Sequence, residues 1–295
     1  MQVCIDALRA EYPNVDYRFL QVDLSSQDSV RAAANTVLSW TDVPTIEILI
    51  NSAGVMGIQE RTLTPEGIEM HFATNHIGHW LLTCLIMPKL IAAAKDQPRG
   101  TVRIVNVSSA SPQVSCMRWS DMTFETKNKE LPDTEQPLYQ WLEAWSYSNV
   151  EEMSYVPIDG YNRSKVANLL FAVGTNHRLF DKHGILSLAV HPGIIMTELG
   201  RQFPPETMQA IEKMMKNGLF TMKSLGAGGA TSLVAALDPL LSQRVGETKN
   251  GKENWGAYLD DCQISGKTHP LAISSSEAEK LWEKSEQLTG ERFAW

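Results

Sequence analysis

The chain has 295 residues, 43% hydrophobic and 20% charged, enough apolar material for one large domain or two small ones with a substantial core. A formal net charge of -8 leaves no basic surplus to displace counterions, which excludes an electrostatic partnership with nucleic acid or an anionic membrane and favours a small-molecule partner. Cys4, Cys84, Cys116 and Cys262 stand apart, with no CxxC pair and no histidine at ligand spacing, so reduced thiols in a cytoplasmic protein are expected, and no metal.

Met1 to Glu11 reads as the end of a helix broken at Pro13, and it supplies neither the basic region nor the apolar core of a signal peptide. A strand is predicted from Tyr17 to Val22. Ser26 to Trp40 follows as a helix, with Val30, Ala33, Ala34, Val37 and Leu38 at helical spacing and Ser25 or Ser26 as N-cap. Ile46 to Asn51 is a second strand and Thr64 to Ala94 a helix. The most apolar part, Ile77 to Ala94, is interrupted by His79, Pro88 and Lys89, and is expected to be a buried amphipathic helix, too short and too polar to span a bilayer. Further strands are predicted at Val102 to Ser108, Ile185 to His191 and Ala257 to Leu259, and further helices at Gly160 to Phe180 and Ser274 to Leu288. Gly226-Ala227-Gly228-Gly229 reads as a helix start, and Asp260-Asp261 as a solvated turn. This alternation of near-continuous apolar strands with helices predicts a single α/β domain over 1–295, a doubly wound, Rossmann-like parallel sheet. The stretch of about 112–157 breaks the rhythm. It carries Trp119, Phe124, Tyr139, Trp141, Trp145, Tyr147 and Tyr155, and its aromatics favour an ordered lid.

Four motifs fall on successive strand or helix ends. Asn51-Ser52-Ala53-Gly54 places small residues at the carboxyl end of a strand, where ligands of open α/β sheets bind. Ser108-Ser109 closes the next strand and His191-Pro192-Gly193 a later one; alone, the first would usually be a helix cap or loop and the second simply a turn. Tyr161 and Lys165 stand four residues apart, on one face of a helix. A nearby ammonium would lower the phenol pKa and suit it to acid/base work. A lone His191, without a second ligand at metal spacing, reads as a satisfied structural residue.

Taken together, these motifs resemble the short-chain dehydrogenase/reductase family, in its branch of retinol dehydrogenase-like and fungal reductases, over residues 1 to about 292. The resemblance implies that Ser109 binds the substrate oxygen, Tyr161 is the acid/base, Lys165 its partner, and Asn75, in Ala73-Thr74-Asn75-His76, anchors a water of the proton relay. It implies cofactor contacts from Asp23 to adenine, from Asn51, Ala53 and Gly54 to the adenosine ribose, from Tyr161 and Lys165, and from Ile195 and Thr197 to the carboxamide. The cofactor would be NADP, or NAD. The implied activity is hydride transfer between nicotinamide and a carbonyl or alcohol, and homo-oligomerisation stays open.

Two departures qualify that implication. The family opens with a strand, a glycine-rich turn and a helix, and in its strand order 3-2-1-4-5-6-7 the first two strands have no counterpart here. The expectation is an N-terminally truncated member with a gap between the strands at Tyr17 and Ile46. The residue that would discriminate NAD from NADP is lost with them. Secondly, Ser109 and Tyr161 are 52 positions apart, longer than is usual, which suggests a bulky, mostly apolar substrate such as those of secondary-metabolite tailoring. The rival readings are a non-redox remnant serving as a binding module, and a related epimerase or dehydratase, which would share Tyr161 and Lys165.

Overall fold

The computed structural model describes residues 2–295. Helix α1 (Gln2–Glu11) buries no side chain. Helix α2 (Gln27–Ser39) is capped by the Ser26 hydroxyl, which accepts the Ser29 amide, and it turns Val30, Ala33, Ala34 and Val37 inward, as their spacing predicts. After β1 (Ile48–Asn51), one continuous helix comprises α3 (Met70–Phe72), a π-helical turn (Ala73–Ile77) and α4 (Gly78–Ala94). Then follow β2 (Arg103–Val107), α5 (Ser111–Val114), α6 (Tyr139–Ala144), α7 (Pro157–His183) and β3 (Leu186–His191). The last third holds β4 (Ile194–Ile195), α8 (Pro205–Lys216), β5 (Met222–Lys223), α9 (Leu225–Leu237), the hairpin β6 (Glu247–Lys249) with β7 (Lys252–Trp255), β8 (Tyr258–Asp260), β9 (Gln263–Ile264) and α10 (Ser275–Thr289).

The main sheet runs β1-β2-β3-β8-β9, parallel except for the final antiparallel pair. Alternate strand residues face opposite layers. Ile104 packs with α2 and α4, while Val105, Leu188 and Val190 pack with Ala235 and Ala236 of α9. Helices therefore cover both faces, which is the doubly wound α/β arrangement expected. The third layer contact is α10 on α7, where Trp282 meets Phe171 and, edge-on, Trp80.

Three expectations are corrected. Residues 17–22 join no strand ladder. Leu20 and Val22 still pack toward α2 and α4, but Phe19 is exposed, and no described strand lies beside the outer edge of β1 to accept this segment's peptide groups. Secondly, Ile77–Ala94 belongs to a 25-residue helix, Met70–Ala94, that is by length and composition long and apolar enough to cross a membrane. It is not amphipathic: Trp80, Leu81, Met87 and Leu90 are wholly buried on different sides, because α2, α7 and the sheet enclose it, and Lys89 donates its ammonium protons to the carbonyls of Trp40 and Val43. Thirdly, Asp260 lies in β8 rather than in a turn, beside His191 in register; Asp261 is the turn residue, ion-paired to Lys223.

The segment 112–157 is ordered. Two buried guanidinium groups hold it. Arg118 donates to the Asp121 carboxylate, the Asn128 side chain and the Thr126 carbonyl; Arg163 of α7 bonds Asp159 and the carbonyls of Cys116 and Glu135. Each planar fork saturates several carbonyls that no sheet or helix would satisfy.

Candidate active site

The carboxyl ends of β1 and β2 and the first turns of α7 converge. Asn51 is the hinge of this region. Its amide donates to Thr83 and to Asn106 on β2, which in turn donates to Ser187 on β3, a buried polar ladder across three strands. The Asn51 side chain is thus spent on the sheet, and the turn after it, with Ala53 exposed and Gly54 half-buried, is what faces outward. Gly54 is small for a reason: a Cβ there would stand 3.0 Å from Asn75 Oδ1 and 3.5 Å from Lys165 Nζ.

Asn75 sits in the π-helical turn, a distortion that often marks functional sites. Its amide is used at both ends: Oδ1 accepts the Val55 amide, and Nδ2 donates to the Val55 carbonyl and to the Ser164 hydroxyl. Its main-chain carbonyl accepts from His79 Nδ1 at 3.0 Å. Tyr161 and Lys165 lie one turn apart on α7, with Nζ 5.7 Å from the phenol ring centre. Lys165 donates to the Val107 carbonyl at 2.9 Å, and its other two ammonium protons meet no acceptor among the described residues. Burial lowers Lys165 to about 8. Burial raises Tyr161 to about 12, opposed by the Ser109 hydroxyl. The expected depression of the phenol by Lys165 is not found: loss of hydration is the main cause of the shift, and the Ser109 hydrogen bond, not the ammonium, is what opposes it.

Ser109 donates to Ser111 at 2.6 Å and accepts the Ser111 amide, while Ser111 donates to Asn162 on α7. Its carbonyl accepts from the Tyr258 hydroxyl at 2.7 Å. Asn75, Ser109, Tyr161, Lys165 and Gly54 are thus brought together. Asp23 and Thr197 bond none of them. The Asp23 carboxylate accepts from Ser25, which keeps it below the usual carboxylate range, and the exposed Thr197 hydroxyl accepts the Leu199 amide. Ile195, in β4, packs instead against Gly228, where a Cβ would collide with it. His191 is not satisfied: its buried Nδ1 has no partner among the described residues. Ser111, Ser164, Thr83 and Tyr258 were not found from sequence. Ser164 lies within the Tyr161–Lys165 motif, but nothing local marks the others, since their partners lie on distant elements.

Over this group lies the aromatic segment. Leu142, Trp145, Val150, Val156 and Ile158 form one apolar cluster with Tyr161 and with Met214 of α8. Trp145 packs on Trp141 at 6.0 Å and on Phe203 at 5.7 Å, and Phe203 in turn rests on Gly57. Helix α8, not predicted from sequence, supplies the far side of this wall.

A parallel sheet wound on both faces, with a phenol, an ammonium and a serine at its carboxyl edge, defines the class of dinucleotide-dependent oxidoreductases. The short chain dehydrogenase family model matches residues 1–121. A chloroplastic short-chain dehydrogenase TIC 32 A of Brassica napus is 33% identical over 279 residues, covering 94% of this chain and 73% of that protein. Retinol dehydrogenase 12 of Mus musculus is 30% identical, covering 96% and 73%. Among solved structures, a 3-oxoacyl-[acyl-carrier protein] reductase from Brucella melitensis in complex with NAD superposes with a TM-score of 0.54 at 19% identity, covering 93% of this chain and 84% of the other. The chain belongs to the short-chain dehydrogenase/reductase family and is an oxidoreductase of that class.

The nicotinamide end of a dinucleotide fits these residues: Lys165 has two uncommitted donors beside Gly54, where no side chain intervenes. The pyrophosphate end has less to meet, because no glycine-rich strand-to-helix turn stands beside β1 among the described residues.

Proposed function

We propose that the chain transfers hydride between NADP or NAD and the carbonyl or alcohol of a small, mostly apolar molecule. The observation that carries this reading is the Tyr161–Lys165 pair, held on one face of α7 against Ser109 with donors of Lys165 unengaged. When bound, the nicotinamide supplies the hydride. Tyr161, which keeps its proton at neutral pH, is the general acid that protonates the carbonyl oxygen when the chain works reductively. Ser109 stabilises the charge developing on that oxygen, after its hydroxyl turns from Ser111. Lys165, with two donors unengaged, would hold the ribose hydroxyls of a bound cofactor, and Asn75, whose carbonyl now accepts from His79, would anchor the water of the proton relay. Asp23, the 51–54 turn, Ile195 and Thr197 would meet the rest of the cofactor, as the family resemblance implies, once Asp23 and Thr197 exchange their present bonds to Ser25 and Leu199. The aromatic wall suits a bulky aromatic or terpenoid-like carbonyl compound, consistent with a cytoplasmic tailoring step.

Loss of NADPH absorbance with a panel of aromatic and alicyclic ketones tests this; turnover equal in the parent and Tyr161→Phe chains would refute it. A second reading, a non-redox binding module, is favoured by one observation, the lack of a described glycine-rich turn beside β1. Binding of an apolar carbonyl compound with no turnover at any cofactor concentration would select it.

A further inference from the structure

Behind Tyr161 lies a buried group that the chemistry above does not use. Glu69, His71 and Tyr155 are 1%, 0% and 8% exposed. Glu69 caps α3 by accepting the Phe72 amide through Oε2, and its Oε1 lies 2.8 Å from His71 Nδ1. The Ile58 amide points at His71 Nε2, at 3.4 Å. An amide can only donate, so Nε2 is the acceptor and Nδ1 carries the proton given to Glu69. The Tyr155 hydroxyl donates to the Ile58 carbonyl at 2.8 Å. Ile58 is therefore gripped at both its N–H and its C=O by side chains.

Three residues earlier, Val55 is gripped in the same way, its N–H and C=O both bound by Asn75. The stretch 55–58 is a strap tied at each end. At one end Asn75 also donates to Ser164, which donates to the Tyr161 carbonyl. At the other, the His71 ring stands edge-on to the Tyr161 ring at 6.4 Å, and a Cβ on Gly160 would come within 3.0 Å of His71 Nδ1. The bonds, closed by the ring contact of His71 with Tyr161, form a circuit from α3 through the strap to the π-helical turn and back through α7.

The geometry points to Glu69, His71 and Tyr155 as positioning residues: a buried unit that sets the strap, and through it the placement of Asn75 against Tyr161 and Lys165. This rests on Tyr161 and Lys165 being the reacting pair. None of the three touches the reacting atoms. Slack in the strap shifts Asn75 and the α7 face together, and misplacement by an ångström costs rate more than it costs binding.

The test compares His71→Phe, which keeps a ring and loses both bonds, with His71→Gln, which retains one donor and one acceptor. Residue-resolved amide exchange is read on the unliganded chain. In His71→Phe the Ile58 amide should exchange about tenfold faster for its lost bond, and the Val55 amide, bound to an untouched Asn75, should accelerate with it. In turnover, kcat should fall roughly tenfold to a hundredfold, and the NADPH dissociation constant, to which Lys165 on the same face contributes, should change by a much smaller factor. His71→Gln should recover most of both. Tyr155→Phe, which deletes one oxygen and keeps its ring on Phe124, should show the same pattern more weakly and serves if His71→Phe does not fold. Acceleration at Ile58 alone, or a lower melting temperature with kcat per folded molecule unchanged, or a Gln variant as impaired as the Phe one, overturns the proposal. If no form of the chain turns over, the oxidoreductase reading fails, and the Val55 amide still decides this one.

Discussion

Tyr161 and Lys165 are both buried, and burial shifts their titration in opposite directions, which gives the fold a characteristic pH dependence. Lys165 titrates near 10.5 ordinarily and near 8 in the fold, so between those values the unfolded chain binds more protons and stability rises with pH. Below pH 8 the cost of burying the ammonium is fully present. Tyr161 shifts the other way, from 10.0 to about 12, so the native state holds its proton longer and stability falls as pH climbs through that window. We expect the unfolding free energy of the parent, relative to Lys165→Met, to improve between pH 8 and 10 by about 1.4 kcal/mol per unit. Denaturant titrations at stepped pH measure it, and parallel curves for the two chains would rule it out. Tyr161→Phe should lower kcat by at least about a hundredfold, since general acid catalysis contributes about 10²–10⁴, while nucleotide affinity stays within a factor of about two.

Within the irregular segment, order comes from charge and the apolar wall beside Tyr161 from aromatics, and the two can be separated. Arg118 and Asp121 have side chains 1% and 7% exposed, and Asp121 also accepts the amides of Glu125 and Thr126. Asp121→Ala leaves a buried guanidinium without its counter-charge. It should destabilise the protein by about 3–5 kcal/mol and expose 119–130 to limited proteolysis. Trp145→Ala acts differently. It opens the wall beside Tyr161 and Phe203, so KM for bulky apolar carbonyl compounds should rise about tenfold or more while small aldehydes are little affected. A uniform change across a size series would show that the wall does not contact the substrate.

For the whole molecule the outer edge of β1 matters most. Ile48 and Ile50 are 38% and 41% exposed there, and Leu233 and Leu237 of α9 are exposed as well. Phosphate binding normally draws on backbone amides at a helix N-terminus, and the described residues place none behind a glycine-rich turn at this edge. Each charge-assisted bond contributes about 1.5–3 kcal/mol, so a version of the chain carrying a family-type strand, glycine turn, helix and strand should bind NADPH about a hundredfold tighter or better. Calorimetric titration of both chains with NADPH and NADH checks this. Micromolar binding by the 295-residue chain would show that another part of the surface receives the phosphates.

Residue order was enough for the α/β class and four of the five predicted strands, because strand ends of a parallel sheet gather on one edge whatever the loops do; the meeting of Ser109 with Tyr161 and Lys165 of α7 was implied by the family resemblance and depends on how α7 packs on the sheet. The same local signal misread Tyr17 to Val22, since a strand is a property of two chains of peptide groups and this one has no described partner. It misjudged the pKa of Tyr161, because a motif shows the neighbouring ammonium but not how much water burial removes. Glu69, His71 and Tyr155 carried no visible pattern: they are far apart in sequence, and only the packing of α3 against α7 brings them to the same peptide group. Spacing along one element was legible in the chain; desolvation and contact between elements were set by the tertiary structure.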